Sequence, residues 1–252
     1  MLETLILSII QGITEFIPIS SSSHLILISK YLNFENQGLS IDVSLHIGSF
    51  VAVLTYFRND IFNFFRNREL FLKILISSIP VMIIGFVVVK TGIINYFRTI
   101  EVIGWTTLIF GILLYISDKY ENSLNVEKDF TYKSALLIGL FQVLSIIPGV
   151  SRSGITITAA RILKFKRFEA GKISFLLSIP TLGAVCIFGL FNTTFNLQGE
   201  QIFINILSVL FSFVFSYLTI KFFLNYIKKF SLNIFVTYRV ILGLIIITIS
   251  YL

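Results

Sequence analysis

The sequence predicts an all-α polytopic membrane protein, because its composition, its uncharged runs and the placement of its cations all agree with that class. Hydrophobic residues make up 56% of the 252 positions and charged residues 13%. A water-soluble core of this size could not bury so much apolar surface. Most of the chain lies in uncharged runs that, with their flanks, can cross a hydrocarbon core about 30 Å thick. These runs cover 43–57, 74–89, 102–117, 134–151, 173–199 and 201–220.

Most of the basic residues lie in four segments of the chain, and their placement predicts a topology. They are Arg58, Arg66, Arg68 and Lys73; Lys119, Lys128 and Lys133; Arg161, Lys164, Lys166, Arg167 and Lys172; and Lys221, Lys228 and Lys229. The segments 30–42, 90–101 and 192–202 hold only Lys30, Lys90 and Arg98. Because Lys and Arg are enriched in cytoplasmic loops, the four basic segments are predicted to be cytoplasmic. The net charge of +7 then reflects topology, and we expect no nucleic-acid partner.

This topology predicts six membrane spans, at about 42–57, 73–90, 101–117, 170–191, 202–222 and 234–252. Two further segments, about 3–29 and 133–160, must each leave and return on the same side of the membrane. Their roughly 27 helical residues reach about 40 Å, which is too short for two crossings. Each is therefore predicted to be a re-entrant hairpin buried in protein, the first entering from outside and the second from the cytoplasm.

The chain is predicted to be one membrane domain, residues 1–252, made of two inverted repeats. Each repeat, about 1–120 and about 131–252, would contain one re-entrant helical hairpin and three transmembrane helices. An odd number of spans ends on the opposite side of the membrane from where it began. The second repeat would therefore start on that opposite side and be inverted. An offset of 131 residues places Gln11 on Gln142 and residues 20–22 on residues 151–153. Inverted repeats whose broken helices meet at mid-membrane recur among transporters.

The first hairpin contains a polar break. Pro18 disfavours a helical conformation in the residue before it, and the serines at 20–23 can hydrogen-bond their own backbone, so the helix should end here. Gln11 and Glu15 are four residues apart and share one helix face that points into the break. His24 follows within ten residues of Glu15. Ser21, His24 and Glu15 therefore supply a candidate nucleophile, proton shuttle and carboxylate.

The second hairpin contains a break at Pro148–Thr156, with Arg152 at its centre. Gly149 and Gly154 allow backbone conformations that other residues avoid. An Arg at membrane depth costs at least about 2.5–3.5 kcal/mol, so it requires a partner. Glu15 is one candidate and a ligand phosphate is the other. A guanidinium, loop N–H groups, hydroxyls and a helix N-terminus together favour an anion site.

At these residues the chain resembles the bacitracin-resistance type of undecaprenyl-diphosphate phosphatase. That family has a Glu-or-Gln, three residues, Glu motif, a Pro-x-Ser-Ser stretch and a His, and later Pro-Gly-x-Ser-Arg-Ser-x-x-Thr. Here the first motif runs from Gln11 to Glu15, followed by Pro18–Ser21 and His24, and the second is complete at Pro148–Thr156. The first motif position is Gln11, so one of two possible carboxylates is missing.

The resemblance implies hydrolysis of undecaprenyl diphosphate to the monophosphate and inorganic phosphate, which recycles the lipid carrier for cell-wall synthesis. It implies that Arg152, Ser151, Ser153 and Thr156 hold the diphosphate, and the loop groups of Ser20, Ser22 and Gly149 would add to that site. Ser21 or His24 would attack the terminal phosphorus, and Ser21 attacking with His24 as the proton shuttle is the arrangement we favour. Glu15, with Gln11, would hold a divalent cation (Mg²⁺ or Ca²⁺), or Glu15 would orient His24.

The resemblance also implies a location and partners. The protein is expected in the bacterial cytoplasmic (inner) membrane, with the active site opening to the outer face because the first hairpin enters from outside. Its expected partners are the polyprenyl diphosphate substrate and membrane lipids, with a homodimer as one alternative for its assembly. The main alternative function is a polyprenyl-phosphate flippase or secondary transporter, since inverted repeats suit alternating access.

Overall fold

Helices account for nearly all of the chain that can be described. The computed structural model describes residues 2–32, 34, 38–64, 68–120, 123–192 and 199–252. Within them lie twelve α-helices, with short 3-10 segments at Ile93–Phe97 and Leu144–Ile146. The α-helices are α1 (Leu2–Thr14), α2 (Ser21–Leu32), α3 (Leu39–Tyr56), α4 (Arg58–Phe64), α5 (Arg68–Lys90), α6 (Ile100–Asp118), α7 (Val126–Asp129), α8 (Tyr132–Val143), α9 (Arg152–Ile162), α10 (Arg167–Asn192), α11 (Gly199–Lys229) and α12 (Asn233–Ser250).

Six of these helices, α3, α5, α6, α10, α11 and α12, are long and apolar enough to cross a membrane. They coincide with the six spans predicted from the sequence, so the all-α polytopic class is confirmed. The main difference is at the end of α11, which continues to Lys229 instead of stopping near residue 222. The added turns carry Lys228 and Lys229, whose apolar stems can lie along the membrane boundary while their ammonium groups reach water.

The two segments predicted as re-entrant hairpins each contain two short helices separated by a break. The helices α1, α2, α8 and α9 have 13, 12, 12 and 11 residues. At 1.5 Å per residue, each is about 16–20 Å long, which falls short of a hydrocarbon core about 30 Å thick. None of the four can span the bilayer alone, and the breaks between them lie inside the bundle.

The basic segments of the described chain come together at one end of the bundle. Lys172 on α10 pairs with Asp60 on α4 at 2.7 Å, and Arg167 at the start of α10 pairs with Asp118 at the end of α6 at 2.8 Å. These contacts bring the beginning of α4, the end of α6 and the beginning of α10 to the same end of the bundle. The distribution of cations predicts that this end is cytoplasmic, which stays a prediction, and Arg66 lies outside the described residues.

The packing of the helices is compatible with two related halves. Helix α1 packs against α11 and α8 packs against α5, while α3 contacts α10 and α6 contacts α12. When the two halves are exchanged, the first two pairings replace each other and the last two each map onto themselves. Both breaks also contain a serine with a left-handed backbone, Ser20 with φ 75° and Ser151 with φ 70°. These features support the proposed repeat, and its inversion stays a prediction.

Buried aromatic rings hold the first break against α10. The Phe16 ring, fully buried, meets the Phe175 ring edge-on with a centroid separation of 5.2 Å. Phe57 and Phe223 contact the same Phe175 ring, at 6.4 and 5.6 Å. Edge-to-face pairs contribute roughly 0.5–1.5 kcal/mol beyond the burial of their area. The cluster therefore fixes Phe16, the residue after Glu15, to α10. The same helix packs against α9, which follows the second break.

Candidate active site

The two breaks meet through an ion pair between Glu15 and Arg152. Arg152 Nη2 lies 3.1 Å from Glu15 Oε1, and the two side chains are 12% and 7% exposed. Arg152 Nη1 also donates to the carbonyl of Ser174 at 3.2 Å. The partner expected for a guanidinium at membrane depth is therefore present, and it comes from the other hairpin.

The backbone of the first break turns at Ser20. Its left-handed conformation (φ 75°) costs about 1–3 kcal/mol in a residue with a Cβ atom, so the surroundings must stabilise it. The Ser20 hydroxyl lies 3.3 Å from the Ser22 hydroxyl and 3.1 Å from the Ser23 hydroxyl. It also accepts a hydrogen bond from the N–H of Gly149 at 3.3 Å. Ser20 thus joins the first break to the second.

The second break forms the N-terminal cap of α9. The Ser151 hydroxyl accepts from the N–H of Gly154 at 3.1 Å, as an N-cap residue does. Ser153 donates to the carbonyl of Ile17 in the first break at 3.0 Å. Because Arg152 is the first residue of α9, its guanidinium and the positive end of the helix dipole lie together, an arrangement that attracts anions.

Gly149 occupies a position that no side chain can share. It has φ +94°, and an added Cβ would collide with Thr106 Oγ1 and lie 2.8 Å from the carbonyl oxygen of Ile103. We expect Gly149→Ala to destabilise the fold by about 1–3 kcal/mol, because both the conformation and the close approach oppose it. Thermal unfolding of the purified protein measures this loss. Gly199→Ala is the control, since nothing lies within 4 Å of the Cβ atom that it would add. If Gly149→Ala unfolded at the same temperature as the wild type, the expectation would be wrong.

The hydroxyl of Ser21 contacts Glu15. Ser21 Oγ donates to Glu15 Oε2 at 2.6 Å, and Gln11 Nε2 donates to the same oxygen at 3.1 Å. Glu15 therefore uses one carboxylate oxygen for Arg152 and the other for Ser21 and Gln11. A short hydrogen bond from a hydroxyl to a carboxylate is the geometry in which the carboxylate can remove the proton as the oxygen attacks.

His24 has different partners from those expected. Its Nδ1 lies 2.6 Å from the carbonyl of Ser20, and its Nε2 lies 2.6 Å from the hydroxyl of Tyr238. A carbonyl only accepts hydrogen bonds, so the neutral ring carries its proton on Nδ1, and Nε2 accepts from the phenol. Within the described part of the chain no hydrogen bond joins Ser21 to His24. Glu15, and not His24, is the ionisable group within hydrogen-bond distance of the Ser21 hydroxyl.

Arg239 on α12 is a buried residue of this site that was not predicted from the sequence. Its fully buried side chain donates to the carbonyls of Gly149 and Val150 at 2.8 and 3.1 Å and of Pro18 at 3.3 Å. A further hydrogen bond reaches the Thr107 carbonyl on α6 at 3.2 Å. The sequence does show a single Arg in the apolar run after residue 233. The free-energy cost of placing an Arg at membrane depth is the same for it as for Arg152, so it also needs partners.

The other expected phosphate-binding residues surround Arg152. Ser22 is exposed beside Ser20, and the hydroxyls of Ser151 and Ser153 lie 3.2 Å apart. Thr156 faces α10 instead, because it donates to the Ser174 hydroxyl at 2.7 Å. Thr156 therefore holds α10 at Ser174, the residue whose carbonyl accepts from Arg152. It lies one helical turn after Arg152 on α9.

Gln11 and Glu15 offer oxygen atoms, the kind of ligand that a divalent cation such as Mg²⁺ takes. Gln11 Oε1 is buried without a hydrogen-bond partner, and it shares the helix face of Glu15. No group of three or more His, Cys, Asp or Glu side chains that could hold a metal occurs in the described residues. Mg²⁺ is often held by one or two carboxylates together with substrate phosphate oxygens and water. A cation here would need the substrate to complete its ligands.

Comparison with known proteins identifies the family. The family model of bacitracin resistance protein BacA matches residues 4–245, which include Glu15, Arg152 and Arg239. The chain belongs to the BacA family. The match to the BacA model spans both hairpins and every helix described above except the outermost residues of α1 and α12.

Similar proteins cover the chain almost end to end. An undecaprenyl-diphosphatase from Pelagibacter ubique is 47% identical over 251 residues, covering 99% of this chain and 98% of the relative. Undecaprenyl-diphosphatases from Jannaschia sp. and Roseobacter denitrificans are 38% and 40% identical over 259 and 266 residues. Each of these two alignments covers 98% of this chain and 97% of the relative. The BacA-family assignment therefore applies to the whole membrane domain.

Proposed function

We propose that this chain is an integral-membrane phosphatase that hydrolyses undecaprenyl diphosphate to undecaprenyl phosphate and inorganic phosphate. The observation that carries the proposal is the contact of Arg152, Glu15 and Ser21, which places a cation, a base and a nucleophile in one buried cluster. The names of the similar proteins support the same substrate. An ion pair at membrane depth that joins two helix breaks favours a binding or catalytic site over a purely structural role.

Arg152 is the residue proposed to bind the diphosphate. Its Nε is buried without a hydrogen-bond partner, and its Nη2 contacts Glu15. A diphosphate entering the cluster would accept from Nε and compete with Glu15 for Nη2, since a guanidinium binds phosphate through two parallel hydrogen bonds. The N-terminus of α9 and the hydroxyls of Ser22 and Ser151 add donors to the same oxygens.

Ser21 is the proposed nucleophile. Its oxygen forms a bond to the terminal phosphorus while the bond from that phosphorus to the bridging oxygen breaks, and undecaprenyl phosphate leaves. The hydroxyl proton goes to Glu15 Oε2, which lies 2.6 Å away. Water then attacks the phosphoserine, the bond between Ser21 Oγ and phosphorus breaks, Oγ takes its proton back from Glu15, and inorganic phosphate is released. Attack by His24 is less well supported, because the free lone pair of its ring is occupied by Tyr238.

The fixed positive charge supplies most of the expected rate. In phosphoryl transfer, negative charge is shared among the equatorial oxygens, and a positioned Arg next to them accelerates the reaction by about 10³–10⁵-fold. A divalent cation bound by Glu15 and Gln11 would neutralise further charge on these oxygens. Glu15 itself keeps Arg152 and Ser21 correctly oriented until the substrate arrives.

The active site is proposed to open to the outer face of the cytoplasmic membrane. The basic segments cluster at one end of the bundle, which the positive-inside rule assigns to the cytoplasm. Helix α2 leads into the start of α3, whose other end reaches the basic face beside α4, so the first hairpin opens on the opposite face. The polyprenyl tail would stay in the lipid. Hydrolysis there would return the lipid carrier for cell-wall synthesis.

Phosphate release tests the proposal. Purified protein in detergent, given undecaprenyl diphosphate and Mg²⁺ or Ca²⁺, should release inorganic phosphate, and Ser21→Ala should lower the rate by at least about 10²-fold because the nucleophile is lost. Ser123→Ala, at an exposed serine outside the hairpins, is the matched control and should keep the wild-type rate.

Two outcomes would count against this function. If the wild-type protein releases no phosphate but moves polyprenyl phosphate across vesicles, the protein is a transporter that uses the same anion site. If Ser21→Ala keeps the wild-type rate, Ser21 is not the nucleophile. Trapping a radiolabelled phosphoenzyme and mapping it to Ser21 or His24 distinguishes the two candidate residues directly.

A further inference from the structure

Tyr238 on α12 contacts His24, a buried histidine that takes no part in the attack by Ser21. Its hydroxyl donates to His24 Nε2 at 2.6 Å, and the two rings are nearly parallel, with an interplanar angle of 12° and centroids 5.7 Å apart. The histidine is 9% exposed and the tyrosine 42% exposed. The imidazole is therefore enclosed, while the phenol borders the surroundings of the protein.

This contact occupies the only atom through which His24 could act. Because the Ser20 carbonyl holds the proton on Nδ1, the lone pair of Nε2 is the single position on the neutral ring that can accept a proton. The Tyr238 hydroxyl covers that lone pair. While both of these contacts are made, His24 cannot accept a proton from water.

A tyrosine that merely marks the membrane boundary would direct its hydroxyl toward water or lipid headgroups. Tyr238 instead directs its hydroxyl inward, to a buried ring nitrogen. Its neighbour Arg239 fixes the carbonyls of both breaks, so α12 is held in register with the hairpins at this level. The contact of Tyr238 with His24 is therefore made by a helix whose position is already fixed by other hydrogen bonds.

We propose that Tyr238 covers His24 Nε2 and, when substrate binds, donates the same hydroxyl to the substrate phosphate instead. This inference rests on the proposed phosphatase function. The phenol can donate either to the imidazole or to a phosphate oxygen, and a hydrogen bond to an anion is roughly twice as strong as one between neutral groups. Being partly exposed, the phenol can rotate, whereas the enclosed imidazole stays in place.

Release of the phenol gives His24 a role in the second half of the reaction. Glu15 serves the attack by Ser21, and the uncovered Nε2 can accept the proton of the water that attacks the phosphoserine. In that step the water oxygen bonds to phosphorus and one water proton passes to Nε2. The bond from phosphorus to Ser21 Oγ breaks, and Oγ takes back the proton that Glu15 accepted in the first step. Covering His24 in the absence of substrate keeps its ring in the required tautomer and orientation.

Nitrogen NMR of the imidazoles tests the contact without relying on activity. The chain has two histidines, so ¹⁵N-histidine labelling gives two sets of ring signals, and His46→Gln assigns them. Tyr238→Phe keeps the ring but removes the hydroxyl, so the Nε2 signal of His24 should shift. Tyr96→Phe, at a tyrosine that is 81% exposed, is the control and should leave the spectrum unchanged. Adding inorganic pyrophosphate to the wild-type protein should shift the same Nε2 signal.

Kinetics supply a second readout. Because Tyr238→Phe removes one donor to the substrate phosphate and leaves Ser21, Glu15 and His24 in place, we expect KM to rise about 10-fold while kcat changes less. A merely structural role would lower the amount of folded enzyme and leave KM unchanged. If the His24 spectrum of Tyr238→Phe coincides with that of the wild type, the inference is wrong, whatever the enzyme activity. If the spectra differ as expected but the wild type releases no phosphate, the contact stands and the phosphatase proposal fails.

Discussion

Arg152→Lys should lower kcat/KM for phosphate release by at least about 10³-fold, although it keeps the positive charge. The guanidinium holds Glu15 with one nitrogen and the Ser174 carbonyl with another, and it keeps a third nitrogen free for the substrate. An ammonium group is a point charge and cannot make these three contacts together. The measurement is phosphate release by the purified variant with undecaprenyl diphosphate.

The same exchange at an exposed position is the control for this prediction. Arg98→Lys, at an exposed residue that ends the 3-10 segment Ile93–Phe97, should leave kcat/KM unchanged. Glu15→Gln should also be severely impaired, because the amide cannot accept the Ser21 proton. Since Glu15 and Arg152 form one pair, the losses in the double variant should be far from additive. If Arg152→Lys kept a tenth or more of the wild-type activity, the role given to the guanidinium would be incorrect.

Arg239→Leu should destabilise the protein by about 3–5 kcal/mol and lower activity at least about 10²-fold. The variant leaves four buried carbonyls, two of them in the second break, without the donor that satisfies them. Both breaks would then relax away from the geometry in which Arg152 meets Glu15. Thermal unfolding in detergent and phosphate release measure the two effects.

Two further variants make this prediction specific. Arg68→Leu removes an exposed Arg from the first turn of α5 and should change neither stability nor activity. Arg239→Lys restores a cation but can reach only some of the carbonyls, so it should recover stability in part and activity little. Wild-type unfolding temperature and activity in Arg239→Leu would show that the two breaks are held together by other contacts.

Much of the fold could be predicted because its signals are local. The lengths of the uncharged runs gave the six spans, and the unequal distribution of cations gave their alternation across the membrane. Pro18 and the serines after it predicted the first break, and Pro148 with Gly149 predicted the second. The meeting of Glu15 and Arg152 followed from the energetic need of a buried guanidinium for a partner.

The contributions of α12 could not be predicted as readily. Its residues are almost all apolar, so hydrophobic periodicity does not show which face turns inward. A tyrosine in an apolar helix looks the same in the sequence whether its side chain faces lipid or, like that of Tyr238, a buried imidazole. The partner of Ser21 was also uncertain from sequence. His24 lies one turn away on α2, but the left-handed backbone at Ser20 directs the Ser21 hydroxyl back to the end of α1.

The hydrogen bonds of Arg239 have a consequence for biosynthesis. Chains enter the membrane in the order in which they are synthesised, N-terminal segments first, and α12 follows both hairpins in the sequence. Until α12 leaves the ribosome, the carbonyls of the two breaks lack the guanidinium that later joins them. Catalytic competence is thus acquired late, and a nascent chain interrupted before residue 239 would be inserted but inert.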